Sequence, residues 1–165
     1  MKATGIVRRI DDLGRVVIPK EIRRTMRIRE GDPMEIYTTR DGEVIFKKYS
    51  LISGLEDFAA QFCDTLARST DFTAAVTDRD AVIAIAGAGK RELLGKRVSV
   101  ELERIMGERG VYCGPGVAVS DENGQFRVTV AAPILCEGDV LGAVLFLSAD
   151  DRTGGETECK LAQTV

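Results

Sequence analysis

The first fifty residues constrain the fold most, because they are patterned throughout yet too few to enclose a core. Thr4 to Ile10 is rich in β-branched residues, Asp11-Asp12-Leu13-Gly14 is a turn, and Arg15 to Ile18 is a second strand stopped by Pro19. Proline suits a first helical position, where its φ is already helical and its missing N–H would have no partner. The pattern therefore predicts a helix from Pro19 to about Arg27. Gly31-Asp32-Pro33 ends that segment, and Met34 to Thr39 and Glu43 to Lys48 pair as strands around Asp41-Gly42, a strong hairpin signal. A β-β-α-β-β module of this size buries little of its surface and needs a staple or a partner chain. Val44 and Phe46 point to one face of its last strand and Ile45 to the other, so both faces seek cover. The expectation is a homodimer.

Beyond residue 50 the pattern changes. Ser53-x-x-Glu56 matches a capping box, and Leu55, Phe58, Ala59, Phe62 and Leu66 follow at helical spacing to about Arg68. This helix links two modules, its stripe packing either on its own domain or on its twin from another chain. From Phe72, strands over Phe72 to Thr77 and Ala81 to Ala86 flank Asp78-Arg79-Asp80. A helix follows with Leu102, Ile105 and Met106 on one face, then three further strands with corners at Asn123-Gly124 and Gly138-Asp139. Phe126, Val128 and Val130 alternate with Arg127 and Thr129, which predicts one exposed face. The nearly continuous apolar run Val140 to Leu147 predicts a central strand. Thr153-x-x-Glu156 caps a last helix. The class is α+β, with domains over 1–50 and 70–165 and a linking helix over 51–69.

Composition removes several functions. Among 165 residues, 44% are hydrophobic and 30% charged, an ordinary soluble balance, and there is no histidine. Ser-His-Asp triads, Cys-His dyads and His-based zinc sites are therefore excluded, and no metal or cofactor is expected. No apolar run approaches the roughly 18 residues of a membrane span, and the opening residues show no signal-peptide core, so a cytoplasmic location is expected. Four cysteines stand far apart without a C-x-x-C pair. Cys63 and Cys136 read as small buried hydrophobes. Cys113, before Gly114-Pro115, reads as exposed on a loop. Gly87-Ala88-Gly89-Lys90 lacks the further Gly and the Ser or Thr of a phosphate loop and reads as a strand-to-helix turn.

The net charge of -3 hides a division: residues 1–50 carry 12 Lys and Arg against 8 Asp and Glu, while residues 51–165 carry 11 against 18. A basic module that touches an anion is implied. On the helix after Pro19, Ile22 and Met26 share one side, to be packed, and Arg23, Arg24 and Arg27 share the other. Arg8, Arg9 and Arg15 lie on the preceding strands. Guanidinium groups bind phosphate or guanine bidentately without losing charge. The competing reading is a solvated face balanced by Asp11, Asp12, Glu21 and Glu30.

The stretch Thr4-Gly5-Ile6-Val7-Arg8-Arg9-Ile10-Asp11-Asp12-Leu13-Gly14-Arg15-Val16-Val17-Ile18-Pro19, continuing into Glu21-Ile22-Arg23-Arg24-Thr25, resembles the AbrB-like transition-state regulator family. The likeness runs through Lys47-Lys48-Tyr49. It implies a swapped-hairpin β-barrel of two intertwined chains that binds double-stranded DNA, with DNA-binding arginines at Arg8, Arg9, Arg15, Arg23 and Arg24, Arg9 standing in place of another basic residue. The whole chain resembles a branch of that family in which an acidic GAF domain follows the barrel. That likeness implies regulation of sporulation genes, association with the nucleoid, a homotetramer built through helices flanking the GAF domains, and a small-molecule ligand as a possible partner of that domain. Two alternatives stay open: an antitoxin-type regulator, whose C-terminal part is a toxin-binding tail, and a GAF-fold enzyme using cysteine thiols.

Overall fold

The computed structural model describes residues 4–50, 52, 54–150 and 152–164, and the chain divides into two units, residues 1–49 and 50–165. In the first unit the two leading strands are absent: residues 4–18 form no ladder among the described residues. Their backbone is closed only at the turn, where Asp11 N donates to Arg15 O at 3.1 Å and Gly14 N to Asp11 O at 3.0 Å. A strand exists by hydrogen bonding to a neighbour, and among the described residues this arm has none.

Helix α1 spans Lys20–Thr25 with Pro19 as its N-cap. It stops short of the expected Arg27 because Arg27 takes the left-handed conformation, φ 51°. That turn lets Ile28 N donate to Arg23 O at 2.8 Å. Strands β1 (Met34–Thr38) and β2 (Val44–Lys48) pair antiparallel from Met34↔Lys48 to Thr38↔Val44, as Asp41-Gly42 predicts. The helix exit is fastened to the hairpin by Asp32, whose side chain is only 3% exposed: its carboxylate accepts from Arg29 N at 2.8 Å and lies 3.7 Å from Lys48 Nζ. Lys48 Nζ also donates to Arg27 O at 3.0 Å. Among described residues 4–50 only Pro19 is buried. Ile22 is half-buried and Met26 exposed, so the apolar side of α1 is not packed within one chain.

The second unit closes its own core. Five antiparallel strands run in the order β4-β3-β7-β6-β5: β3 Thr73–Asp78, β4 Val82–Ala86, β5 Tyr112–Ser120, β6 Asn123–Cys136 and β7 Asp139–Ser148. Helices α3 (Lys90–Leu93) and α4 (Val100–Gly107) cover one face with Leu93, Leu102, Ile105 and Met106. Helices α2 (Glu56–Ser69) and α5 (Glu156–Thr164) cover the other through Ala59, Cys63, Leu66 and Ala162. The stripe of α2 therefore packs on its own domain, with Phe58 left 58% exposed. Strand β7 is the central strand, as its continuous apolar run predicts, and is buried on both faces from Gly142's neighbour Ala143 to Ser148.

Several local expectations are corrected. Thr129 is buried rather than exposed: the register between β6 and β7 shifts between Val128 and Val130, and this irregularity sends Val128 into the α3/α4 layer and Val130 into the α2/α5 layer. The β5–β6 corner falls at Asp121-Glu122, since Ser120 already pairs with Asn123. The β6–β7 corner is Glu137-Gly138, both with positive φ (52° and 88°), as a two-residue turn of this hand requires. Ser53 lies outside the described residues; the capping contact seen at α2 is Glu56 Oε2 accepting from Gly54 N at 2.9 Å. At α5 the reciprocal contact is made not by Glu156 but by Glu158, which accepts from Gly155 N at 2.8 Å. Cys136 is exposed rather than buried. Cys113 lies on β5 rather than a loop, bonded to Cys159. The Gly87 to Lys90 segment is the turn expected between β4 and α3, and glycine is demanded at 89, where a Cβ would stand 2.6 Å from the Phe126 ring.

Strands β3 and β7 leave no room for a side chain at Gly142, where a Cβ would fall 1.9 Å from Thr77 O. Gly142→Ala must push β7 from β3, and overpacking of this kind costs about 1–3 kcal/mol or more. Gly124→Ala, which meets nothing within 4 Å, is expected to stay within about 0.5 kcal/mol of the parent; thermal unfolding of the two variants checks the contrast.

Candidate nucleic-acid interface

The basic side chains of the first unit are displayed by the turn of the arm and by the last turn of α1. Arg8, Arg9, Arg15, Arg23 and Arg24 are all exposed. Arg23 and Arg24 sit at the C-terminal end of α1, where the helix dipole favours cations. Neither they nor Arg8 and Arg9 have an ion-pair partner among the described residues. The sequence leaves a balanced solvated face as the competing reading; the acids counted for it, Asp12, Glu21 and Glu30, are not paired to these arginines.

Arg15 differs. Asp11 Oδ1 accepts from Leu13 N at 3.0 Å and from Arg15 N at 2.7 Å, and Asp11 Oδ2 accepts from Arg15 Nε at 2.8 Å. The side chain of Arg15 nevertheless stays 70% exposed, with guanidinium N–H groups left to donate outward. Asp11, which sequence reasoning treats as a counter-charge, is thus the residue that forms the turn and orients Arg15. An Asp at the start of a four-residue turn ending in Gly is the signal that marks it. A second feature that sequence reasoning missed is Lys47, whose Nζ lies 4.8 Å from the centroid of the Tyr37 ring across the β1–β2 pair.

Chemically this set can neutralise and hydrogen-bond anions. It holds no nucleophile–base pair, and among the described residues no cluster of three or more His, Cys, Asp or Glu could hold a metal ion. Likewise no helix among them is long and apolar enough to cross a membrane.

The family described as "Stage V sporulation protein T C-terminal, transcription factor" matches residues 54–165, and the chain belongs to that family. It is 52% identical to stage V sporulation protein T of Bacillus subtilis (strain 168), over 99% of this chain and 94% of that one. The first unit by itself is 61% identical over 49 residues to the transition state regulatory protein AbrB of the same organism, covering 30% of this chain and half of that protein. Residues 7–51 also match the family described as "Antidote-toxin recognition MazE, bacterial antitoxin". A solved structure, the N-domain of the transcription factor abrB in solution, is 58% identical over 30% of this chain and 94% of that one, with a TM-score of 0.28.

The backbone N–H of Arg15, then its guanidinium, then the N–H of Leu13 hold the Asp11 carboxyl below its usual 3.8. A lowered folded value means the contact is fully present above about pH 3.8 and is lost as pH falls through the folded value. NMR titration is expected to show the Arg15 Nε–H signal collapsing with that carboxyl, and Asp11→Asn to weaken the contact at neutral pH.

Proposed function

We propose that this chain is a sequence-specific DNA-binding transcriptional regulator acting in sporulation, as the name of its full-length relative suggests for that protein. Residues 1–50 of two copies would interlock as a swapped-hairpin barrel, each arm supplying the strand partner the other lacks. The observation that carries this reading is the coincidence, in one unit, of uncovered apolar side chains with uncompensated arginines. Val7 is 84% exposed and Val17 71%, in the same unit as Arg8, Arg23 and Arg24, which have no ion-pair partner among the described residues. The first need is met by a second copy and the second by phosphate and base edges.

In this reading Arg15, Arg23, Arg24 and Arg8 contact DNA. Arg9, exposed beside Arg8, joins them as a further cation at the same surface. Residues 51–69 connect the barrel to a GAF-like domain over 70–165, whose order of helices and antiparallel strands supports the assignment, and whose flanking helices would pair to make a tetramer in the cytoplasm, at the nucleoid. A small-molecule signal would have to enter that domain; a cavity of about 360 Å³ near β6 has Arg109 as its one charged lining residue, so this cavity offers little to fix a charged ligand. The antitoxin description fits the first unit alone, and a second unit with its own closed core is not a toxin-binding tail.

If the dimer neutralises about 6–10 phosphates, affinity for DNA is expected to fall by roughly 10³–10⁵ between about 50 and 200 mM salt. Ala at Arg15, Arg23 or Arg24 should lower affinity and flatten that slope by roughly 1–2, while sedimentation shows the assembly intact. Wild-type binding by all three variants would remove the assignment. For assembly, a fragment of residues 1–50 is expected to sediment as a dimer with a melting temperature that rises with concentration, since folding and association are then one equilibrium. A folded monomer at micromolar concentration contradicts it.

A further inference from the structure

The second unit contains a covalent link that the spacing of the cysteines does not announce. Cys113 of β5 and Cys159 of α5, 46 positions apart, are joined with their Cα atoms 6.4 Å apart, a separation ordinary for a disulfide. Cys113 is exposed and Cys159 half-buried, so the bond is open to solutes. The remaining two cysteines are free and differ in access. Cys136 is exposed; Cys63 is fully enclosed, and burial pushes its thiol up to about 12.

What the link holds is a lightly packed helix. Helix α5 has nine residues, fewer than the roughly 12–15 at which an isolated helix becomes even marginal, and it buries only Ala162 completely. A cavity of about 360 Å³ lined by Ala132, Ile134, Val144 and Ala162 remains beside its end. One other point of close approach is Gly154, just ahead of the helix, where a Cβ would fall 2.3 Å from Val130 Cγ2. A tether matters most for an element whose own contacts are few.

We propose that Cys113 and Cys159 form a thiol–disulfide exchange site that clasps α5 to the sheet when oxidised and releases it when reduced by a dithiol. A thiolate of the dithiol attacks Sγ of the exposed Cys113; the bond to Cys159 breaks, and its electron pair leaves on Cys159 Sγ, which takes a proton from water. The second thiol of the reductant then attacks its own sulfur in the mixed disulfide and expels the Cys113 thiolate, which is protonated in turn. Two electrons and two protons enter the protein, and the dithiol becomes a disulfide. A small disulfide drives the reverse. Release of α5 uncovers the β6 side chains Val130, Ala132 and Ile134, which belong to the layer it helps to cover.

The test uses the full chain, oxidised with glutathione disulfide or reduced with dithiothreitol. Mass spectrometry after denaturing alkylation counts the thiols, and hydrogen exchange follows α5, β3 and β7. The expected result after oxidation is a Cys113–Cys159 disulfide with Cys63 alkylated and Cys136 alkylated or carrying glutathione, and after reduction four alkylated cysteines, with α5 exchanging at least about tenfold faster when reduced while β3 and β7 are unchanged. Cys113→Ser and Cys159→Ser should exchange fast at α5 under both conditions. The proposal is overturned by four reactive thiols after oxidation, by equal α5 exchange in chains whose thiol count has changed, or by reduction loosening β3 and β7 as well. The wild-type comparison decides without either variant should those fail to fold.

Discussion

Apolar side chains that one copy of the first unit leaves in water are the constraint on which its architecture turns. Val7, Ile10, Leu13, Val17, Ile36 and Val44 are each more than half exposed. Burying what they expose is worth on the order of 6–12 kcal/mol per chain, against the roughly 3–5 kcal/mol that a core in so small a scaffold supplies by itself. Association therefore outweighs anything the unit can gain alone. The arm over residues 4–18 carries the same message in its backbone, because its N–H and C=O groups have a turn to close but no ladder to join. Four of those six side chains, Val7, Ile10, Leu13 and Val17, lie in this same arm, and a neighbouring strand from a second copy would answer both deficits there together.

The second unit is built on the opposite principle. Its strands are covered on both faces within the chain, and β7 can be central only because position 142 carries no side chain where Thr77 O comes closest. Strand β6 spans two layers by means of one irregularity: with Thr129 tucked in, its hydroxyl 3.4 Å from Phe146 O, the chain presents Val128 to one helical layer and Val130 to the other. A unit so closed has nothing to gain from association through its core, so any pairing it makes falls to what it leaves outside, of which Phe58 on α2 is the largest apolar side chain among the described residues.

Local chemistry was legible in the sequence wherever one residue type dictates one backbone state. Pro19 starts α1, Asp41-Gly42 turns the hairpin, and the apolar run to Leu147 marks the central strand. What required a distant partner was not legible. The arm reads as two strands because it is rich in β-branched residues around a turn, but propensity does not supply a neighbour. The corner at Glu137-Gly138 was displaced by one residue because a non-glycine takes positive φ there, and Thr129 because a period of two admits no irregularity. The bond between Cys113 and Cys159 depends on where α5 lands across the sheet, which no spacing encodes. At the interface the arginines were visible as a residue type, whereas the tether from Asp11 to Arg15 needed the turn geometry to be seen.

Charge completes the separation of the two units. A chain with net charge -3 would be a poor partner for DNA if the charge were spread evenly, but the balance is +4 over residues 1–50 and -7 over residues 51–165. At physiological ionic strength the screening length is about 8 Å, shorter than either unit is wide, so each anion responds to the charges next to it and not to the total. The arginines then act with nearly their full local strength, and the acidic unit adds no unspecific attraction of its own. Near 0.01 M salt the screening length reaches about 30 Å, and an anion begins to respond to more of the chain's net negative charge. A basic site fused to an acidic body therefore loses its non-specific binding before its contacts, which favours the discrimination between sequences that a regulator requires.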